Sequence, residues 1–229
     1  MLGLPLTALA FLLTLTLGSA QPTPQMQPTA RQVARAFDAH YHKVRTLSGY
    51  FLEKYTSGGS GLVVESGTVY FAKPGRMRWD YDSPVQKMFL DDGKNIWFYV
   101  PADHTASRTP VKESTDWRTP LALLAGKVNL ERLCGSLSLG DTSKLDAGDK
   151  VLVCKPRKQD ENAFTQVLLE LNAQNQLVRL DIQQPGDLEM DFHFGGWHEN
   201  VAIEESKFHF EPPPGVAIVD DAALAGAVQ

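Results

Sequence analysis

Strand-forming runs broken by turn residues fill the stretch 68–99 and constrain the fold of the chain most. Large aromatic and sulfur-containing side chains recur through it, at Tyr70, Phe71, Met77, Trp79, Tyr81, Met88, Phe89, Trp97, Phe98 and Tyr99. Turn residues separate these runs at 73–75, at 83–84 and at Asp92-Gly93. The pair Asp92-Gly93 is a strong hairpin signal, because both central residues of a type I′ turn need positive φ. The stretch therefore predicts successive antiparallel strands. We expect their sheet to curve around an apolar interior that stays partly unfilled.

The rest of the chain predicts more strands and few helices. A helix is expected from about 30 to 44, where Val33, Phe37, Tyr41 and Val44 recur at helical spacing after the candidate N-cap Thr29. Strands are expected at 47–55, 62–71, 128–139, 149–154, 164–171, 176–183, 188–194 and 206–210, with a short edge strand near 216–219. The polar segment 102–117 has few periodic apolar residues, and no strand is predicted there.

These elements predict a mainly β fold with some α-helix. So many twisted strands tend to curl, and we expect one strongly curved antiparallel sheet of about ten or eleven strands with helices on its concave side. The run 119–126 predicts a short helix, with Thr119 as N-cap, Pro120 in the first turn and Gly126 after its end. Its leucines lie on several sides, so this helix either covers an apolar interior or packs into an ordinary core.

The first 20 residues differ from the rest of the chain. Residues 2–17 are almost entirely apolar, and Gly18, Ser19 and Ala20 precede Gln21. A short apolar run that ends in small residues predicts a signal peptide, 1–20, cleaved after Ala20. A membrane anchor is the alternative, although the run is short for a span and no basic cluster follows it. No Cys follows the cleavage site, so we expect residues 21–229 to form one exported, soluble domain without a lipid of its own.

Charge and motifs argue against nucleic acid and against catalysis. The net charge is −5 and the pI about 5.7, whereas a nucleic-acid binder usually carries a basic face. The sequence has no G-x-S-x-G, no H-E-x-x-H, no cysteine-rich metal spacing and no phosphate-binding glycine loop before a helix. We therefore expect no enzyme, no metal and no cofactor, although carboxylates that meet only in the folded chain leave no such motif.

Cys134 and Cys154 predict a disulfide. They flank a segment with Gly-Asp pairs, and each lies ten positions from residue 144. Residues at equal distances from the middle of a hairpin face each other, at about the Cα separation that a disulfide needs. A disulfide also suits an oxidising compartment. Two small buried thiols are the alternative.

Five short motifs follow one another in a specific order along the chain. They are Gly49-Tyr50-Phe51 after the first helix, KPGRMRW at 73–79, DGKNIWFY at 92–99, TPLALL at 119–124 and KFHFEPPPGV at 207–216. The second resembles R-P-x-x-F-x-W, the third D-G-K-x-L-W-x-Y and the last F-x-F-x-P-P-x-G-V, which occur in this order in the LolA family of lipoprotein carriers. Each motif is modest alone, but their shared order is specific, and the resemblance covers nearly all of residues 21–229.

The resemblance implies an unclosed antiparallel β-barrel with a helical lid over a hydrophobic cavity. It implies a periplasmic carrier that binds the acyl chains of lipoproteins and moves them from the inner to the outer membrane. The implied partners are acylated lipoproteins, an inner-membrane lipoprotein-releasing ABC transporter and an outer-membrane lipoprotein receptor, and we expect the carrier itself to be a monomer. In the family an Arg before the Pro ties the lid to the sheet. Lys73 stands in that place here, so we expect Lys73 or Arg76 to close the lid.

The hypothesis of a lipid-binding cavity names residues from the strands and from the lid. We expect acyl chains to contact Phe51, Phe71, Met77, Trp79, Phe89, Trp97, Leu121, Leu123 and Leu124. An ordinary sealed core is the alternative for each of them, and strand parity puts only half of the strand residues inward. Three other functions stay open: a carrier of another lipid or glycolipid, a periplasmic hydrolase with a carboxylate pair, and a scaffold that binds partners at its sheet edge.

Overall fold

The structure is a computed structural model that describes residues 27–57, 61–111, 123–125, 129–157 and 164–220. The predicted signal peptide, 1–20, lies outside the described residues, and so does most of the run 119–126 that predicted a short helix. In the part of the chain that is described, no helix is long and apolar enough to cross a membrane.

The described residues form two α-helices and twelve β-strands. The helices are α1 (Ala30–Lys43) and α2 (Leu130–Leu133). The strands are β1 (Thr46–Ser57), β2 (Gly61–Ala72), β3 (Arg76–Ser83), β4 (Lys87–Asp91), β5 (Asn95–Val100), β6 (Thr105–Pro110), β7 (Cys134–Leu139), β8 (Lys150–Pro156), β9 (Gln166–Leu171), β10 (Leu177–Gln184), β11 (Leu188–Glu199) and β12 (Ala217–Asp220). Short 3-10 helices occupy Pro101–Asp103 and Glu205–Phe208.

All twelve strands belong to one sheet, in the order β12-β6-β5-β4-β3-β2-β1-β11-β10-β9-β8-β7. Neighbouring strands are antiparallel except for β12 and β6, which are parallel. The edge strands β12 and β7 do not pair with each other, so the sheet is not closed. The predicted mainly β fold with an unclosed sheet is confirmed. The sheet has twelve strands instead of ten or eleven, and the expectation of antiparallel pairing throughout is wrong at β12.

Three segments differ from their predicted strand assignments. Within the predicted strand 128–139, Leu130–Leu133 form the helix α2, because the Asn129 side chain accepts the Arg132 backbone N–H as an N-cap. β6 lies in the segment where no strand was predicted, because Ala106 and Thr109 are its only buried residues and leave almost no apolar alternation to read. Pairing with β5 makes it a strand. In the predicted strand 206–210, a 3-10 helix runs through Phe208. The alternating phenylalanines Phe208 and Phe210 imitate a strand, but they pack on a face of the sheet instead of extending it.

The helix α1 matches the first predicted helix within one residue at its C-terminus. A capping box fixes its start, because the Thr29 side chain accepts a hydrogen bond from the Gln32 backbone N–H and the Gln32 side chain accepts one from the Thr29 backbone N–H. Its buried stripe packs on one face of the sheet, called the inner face below, and consists of Val33, Ala34, Phe37 and Tyr41. Burial of this stripe stabilises the helix, since packing of an amphipathic face contributes more to the stability of a helix of this length than helix propensity does.

The opposite face of the sheet, called the outer face below, carries a second and smaller apolar cluster. Its buried members are Ala72, Met88, Leu90, Trp97 and Phe208. Phe210 and Ile203 pack against this cluster, so the chain that follows β11 covers the outer face of the strands β2 to β5. The inner face with α1 and the outer face with this segment are therefore two separate packing layers.

A disulfide joins Cys134 to Cys154, with a Cα–Cα distance of 5.4 Å that lies in the usual range for such bonds. The register that led to its prediction is wrong, however. Leu137, not Cys134, lies opposite Cys154, because a bulge between Cys134 and Ser136 shifts the pairing of β7 with β8. The disulfide thus links the first residue of β7 to β8 across a distorted part of the ladder, next to the inner cluster.

Candidate functional site

Five of the strand residues that were predicted to contact acyl chains meet on the inner face. They are Phe51 on β1, Phe71 on β2, Met77 and Trp79 on β3, and Phe89 on β4. The register explains the meeting, because Phe71 lies opposite Met77 and Trp79 lies opposite Phe89, and directly opposed residues point to the same face. Each of the five is at most 5% exposed.

Trp79 lies at the centre of this group. Its ring centroid is 4.7 Å from that of Phe51, 5.5 Å from that of Phe192 and 6.1 Å from that of Phe194, with steeply inclined ring planes in all three pairs. Such edge-to-face pairs match the positive edge of one ring with the negative face of another. The result is a mainly aromatic apolar surface on the inner face.

Phe192 and Phe194 belong to this surface but were not predicted as site residues. Their alternation with polar residues along β11 marks a half-buried strand, which the sequence does show. What the sequence does not show is that β11 lies beside β1, with Phe194 opposite Phe51. The partner strands are far apart along the chain, so no local pattern could bring these rings into one site.

Trp97 does not join the other predicted residues. It lies on the outer face, in the second cluster, where its ring centroid is 5.4 Å from that of Phe210 and its indole Nε1 donates to Asp92 Oδ2 at 3.1 Å. Its neighbours on β5, Ile96 and Phe98, point to the inner cluster instead. The structure therefore corrects the expectation that Trp97 lines the same site as Trp79.

The candidate lid helix is described only in part. Leu121 lies outside the described residues, whereas Leu123, Leu124 and Ala125 are buried in the inner cluster. The backbone N–H of Gly75 donates to the Ala125 carbonyl at 3.1 Å, which attaches this segment to the turn between β2 and β3. Leu123 and Leu124 therefore belong to the same inner cluster as Met77 and Trp79. That they cover an acyl chain stays a prediction.

The inner face also has a polar end, near the hairpin of β1 and β2. The Tyr81 hydroxyl donates to Glu53 Oε2 at 2.8 Å. The Lys87 ammonium donates to both carboxylate oxygens of Glu65, at 2.6 and 2.7 Å, and lies 4.5 Å from the centre of the Tyr81 ring. These groups share the inner face because Glu53 is opposite Glu65 and Tyr81 is opposite Lys87. At this end, the apolar surface thus borders on polar side chains that are hydrogen-bonded to one another.

Lys73 ties α1 to the sheet. Its ammonium donates to the backbone carbonyls of Tyr41 at 2.5 Å and His42 at 2.9 Å, in the last turn of α1. A cation at these carbonyls satisfies acceptors that have no partner within the helix and opposes the negative end of its dipole. Partial burial lowers the pKa of Lys73. Lys73 therefore joins the last turn of α1 to the turn that follows β2.

Arg76 makes contacts on the other side of the sheet. Its guanidinium forms an ion pair with Glu205 and lies 4.8 Å from the centre of the Phe208 ring. Both partners belong to the 3-10 helix on the outer face. Of the two residues expected to close the lid, Lys73 is the one that the structure brings to α1.

Two further contacts fix α1 on the inner face. His40 Nε2 lies 2.8 Å from Glu199 Oε1 at the end of β11, and the Tyr41 hydroxyl accepts the Leu177 backbone N–H at 2.9 Å. Burial is the main cause that raises the pKa of the Tyr41 phenol, so it stays neutral as that acceptor. At the other side of the helix, Asp38 Oδ1 accepts the Leu130 N–H of α2 at 3.2 Å. These contacts hold α1 on the inner face of the sheet.

No set of three or more His, Cys, Asp or Glu side chains that could hold a metal ion occurs in the residues that the structure describes. The chemistry that the inner face offers is apolar contact with aromatic rings, and α1 packs on the same face. The fold and this face together define a mainly β protein with an unclosed sheet and a covered apolar site.

The comparison with known sequences names the family. The sequence model described as "Outer membrane lipoprotein carrier protein LolA" matches residues 42–211, and the chain belongs to this family. It is 31% identical to an outer-membrane lipoprotein carrier protein of Chromobacterium violaceum over 176 residues, 76% of this chain and 81% of that protein. It is 28% identical to the protein of the same name from Nitrosospira multiformis over 180 residues, 77% of this chain and 83% of that one.

A solved structure shows a similar fold. The chain resembles an uncharacterised conserved protein from Thermus thermophilus with a TM-score of 0.53 and 12% sequence identity, over 84% of this chain and 99% of that one. At this identity the similarity concerns the fold alone.

Proposed function

We propose that the chain is a periplasmic carrier that binds the acyl chains of lipoproteins on the inner face of its sheet and moves them from the inner to the outer membrane. One observation supports this most: a member of the LolA family has an apolar inner face that holds both the aromatic rings around Trp79 and the buried stripe of α1, on a sheet that does not close. The function that suits such a surface is reversible burial of hydrocarbon, which needs apolar contact and no reacting group.

The energetics of the cargo explain why a carrier is needed. Each CH₂ group that is taken out of water contributes about 0.8 kcal/mol, so an acyl chain exposed in the periplasm costs on the order of 10 kcal/mol. A lipoprotein with several chains therefore needs a covered apolar surface to cross water. Met77 suits a surface that must also release its cargo, since its flexible thioether adapts to different contacts.

The aromatic surface is sealed by the protein itself in this structure, so the proposed binding includes an opening step. In this step, acyl chains replace α1 and the leucines Leu123 and Leu124 on the inner face. The hydrogen bonds from Lys73 to the Tyr41 and His42 carbonyls break. The affinity for the ligand is then reduced by the free energy of opening. A carrier benefits from this cost because the closing helix helps to expel the cargo at its destination.

The partners follow from this function. The cargo is a set of acylated lipoproteins, received from an inner-membrane lipoprotein-releasing ABC transporter and passed to an outer-membrane lipoprotein receptor. The residues 1–20 direct export, and residues 21–229 work as one monomeric, non-enzymatic domain in the periplasm.

Binding of a fluorescent fatty-acyl probe by residues 21–229 tests the proposed site. Met77→Gln places a polar amide on the inner face and is expected to weaken probe binding about tenfold, given the apolar contact that is lost. Met88→Gln is the matched control, because Met88 is equally buried, 5% exposed like Met77, but lies in the outer cluster. It should bind the probe as the unchanged protein does. Equal binding by a folded Met77→Gln protein would remove the inner face as the site.

The identity of the cargo needs a second measurement. Protein purified from a periplasmic extract is expected to carry acylated peptides with a modified amino-terminal cysteine, which mass spectrometry identifies after extraction. Glycolipid or phospholipid in place of these peptides would support a lipid-binding site but contradict the proposal that lipoproteins are the cargo.

A further inference from the structure

Trp79 carries an indole N–H that has no hydrogen-bond partner, in the middle of the inner face. The side chain is fully buried, at 0% exposure. Its cross-strand neighbours are Val69 on β2 and Phe89 on β4, neither of which offers a side-chain acceptor. An unpaired buried donor is unfavourable, and buried Trp N–H groups usually find a partner. The position therefore calls for an explanation.

The other two tryptophans that the structure describes do have partners. Trp97 Nε1 donates to Asp92 Oδ2 at 3.1 Å on the outer face, and Trp197 Nε1 donates to the Leu177 carbonyl at 2.7 Å. Both of these hydrogen bonds are only partly buried. Among the described tryptophans, the two indoles that water could reach have a partner and the one at the centre of the apolar surface is unpaired.

Water is a poor partner for the Trp79 N–H. A buried water molecule needs two to four polar groups around it, whereas the rings packed edge-to-face on Trp79 are Phe51, Phe71, Phe192 and Phe194. A smaller phenyl ring in place of the indole would keep an aromatic side chain here without a buried donor. Besides its larger ring, the indole adds a donor for an acceptor that arrives with the ligand.

We infer that the Trp79 N–H donates a hydrogen bond to a carbonyl oxygen of the bound ligand. The site then takes acyl esters and acyl amides in preference to hydrocarbon chains of the same length. This inference rests on the proposed function, since the ligand reaches Trp79 only after α1 and the segment around Leu124 leave the inner face. The carbonyl at the head of an acyl chain is the acceptor that such a ligand brings, and its chain lies against the surrounding rings.

Three matched ligands test the inference with residues 21–229. Methyl dodecanoate, N-methyldodecanamide and tetradecane have chains of similar length but carry an ester, an amide and no acceptor. Each is delivered from cyclodextrin and competes with a fluorescent acyl probe. Trp79→Phe is expected to weaken binding of the ester and the amide about five- to tenfold, the contribution of one hydrogen bond, and to leave tetradecane unchanged. A loss for only one of the two carbonyl ligands identifies which acyl linkage the site prefers.

Trp97→Phe is the control variant, because it removes an indole N–H from the outer face. It should bind all three ligands as the unchanged protein does. If Trp79→Phe weakens tetradecane as much as the ester, or weakens none of the three, the hydrogen bond to a carbonyl is excluded. If the unchanged protein binds none of the three ligands and no acyl probe, the proposed function fails first and the inference fails with it.

A measurement on the unchanged protein covers the case in which Trp79→Phe does not fold. Indole N–H signals of ¹⁵N-labelled protein report hydrogen bonding directly. Methyl dodecanoate is expected to shift the Trp79 signal downfield, whereas tetradecane should not, and the signals of Trp97 and Trp197 serve as internal references because they are already bonded. A Trp79 signal that responds equally to both ligands would contradict the proposed donor role.

Discussion

Asp181 is a buried carboxylate on the outer face, away from the proposed site. It is 5% exposed and lies opposite Asp191 on β11. Its Oδ2 is 3.3 Å from Arg179, while its Oδ1 has no hydrogen-bond partner. Burial, followed by the charge of Glu189, raises the pKa of Asp181 to about 6. A carboxylate of this kind makes the free energy of unfolding depend on pH between its unfolded and folded pKa values.

Asp181→Asn is expected to remove this pH dependence. Between about pH 4 and pH 6 the folded protein keeps the Asp181 proton and the unfolded chain has lost it, so stability falls as the pH rises through this window and is level above it. The variant should therefore gain stability relative to the unchanged protein from pH 4 to pH 6, with no relative gain below pH 4. Urea unfolding at a series of pH values measures this difference.

Asp146→Asn is the control for that series, because Asp146 is exposed in the loop between β7 and β8. Its curve should run parallel to that of the unchanged protein. A parallel curve for Asp181→Asn would show that the carboxyl does not titrate differently in the folded and the unfolded chain.

Single side chains also mark the limit of what the sequence predicts. Met77 and Trp79 were both expected at the site, and because they lie two residues apart on β3 they share the inner face. β5 is different because both of its faces are apolar, with Ile96 and Phe98 on the inner side and Trp97 on the outer side. Alternation between apolar and polar residues is the signal for the buried face. Where both faces are buried this signal is missing, so the largest ring was assigned to the wrong side.

At the scale of elements, local signals predicted α1 and failed where tertiary contacts decide. The capping box and the apolar stripe of α1 lie within the helix itself. The strand β6 depends on its pairing with β5, and the bulge after Cys134 depends on how β7 meets β8. The contact between Lys73 and the end of α1 is likewise a tertiary contact that no local pattern shows. Only the resemblance to the LolA family pointed to that position.

Lys73→Ala is expected to loosen α1 from the sheet. The loss of the charged hydrogen bonds to the Tyr41 and His42 carbonyls should lower the free energy of unfolding by about 1–2 kcal/mol and speed amide hydrogen exchange in α1. If α1 is a lid, acyl probes should also bind faster, since a larger fraction of the molecules is open. Exchange measured by mass spectrometry and stopped-flow binding give the two results.

Lys43→Ala is the control for the lid contact, because Lys43 lies in the same last turn of α1 and is exposed. It should change neither the exchange rate of α1 nor the binding rate by more than a small factor. Faster exchange without faster binding in Lys73→Ala would mean that opening of α1 does not limit access to the inner face.

At the scale of the whole molecule, the order of the strands creates the site. β1 pairs with β2 on one side and with β11 on the other, which joins the meander β1 to β6 to the second meander β7 to β11. The rings of Phe51 and Phe194 become opposite neighbours through this one pairing. The mainly β class and an approximate number of strands could be predicted from the strand and turn signals, but a pairing across most of the chain has no local signature. The unclosed sheet is known in advance only through the family resemblance.

Access to the inner face is the property of the whole molecule that the proposed function needs, and a cross-link tests it. His40 on α1 and Glu199 on β11 contact each other at 2.8 Å. In the double variant His40→Cys, Glu199→Cys, a short bifunctional thiol reagent holds the helix on the sheet, while the native Cys134–Cys154 disulfide leaves no other free thiol. The cross-linked protein is expected to lose binding of the acyl probe, because the proposed entry of acyl chains requires α1 to leave the inner face. The matched control joins Arg76→Cys to Glu205→Cys, an ion pair on the outer face that does not involve α1, and it should keep full binding. If both cross-linked proteins bind the probe equally well, acyl chains do not enter beneath α1, and the inner face is a sealed core.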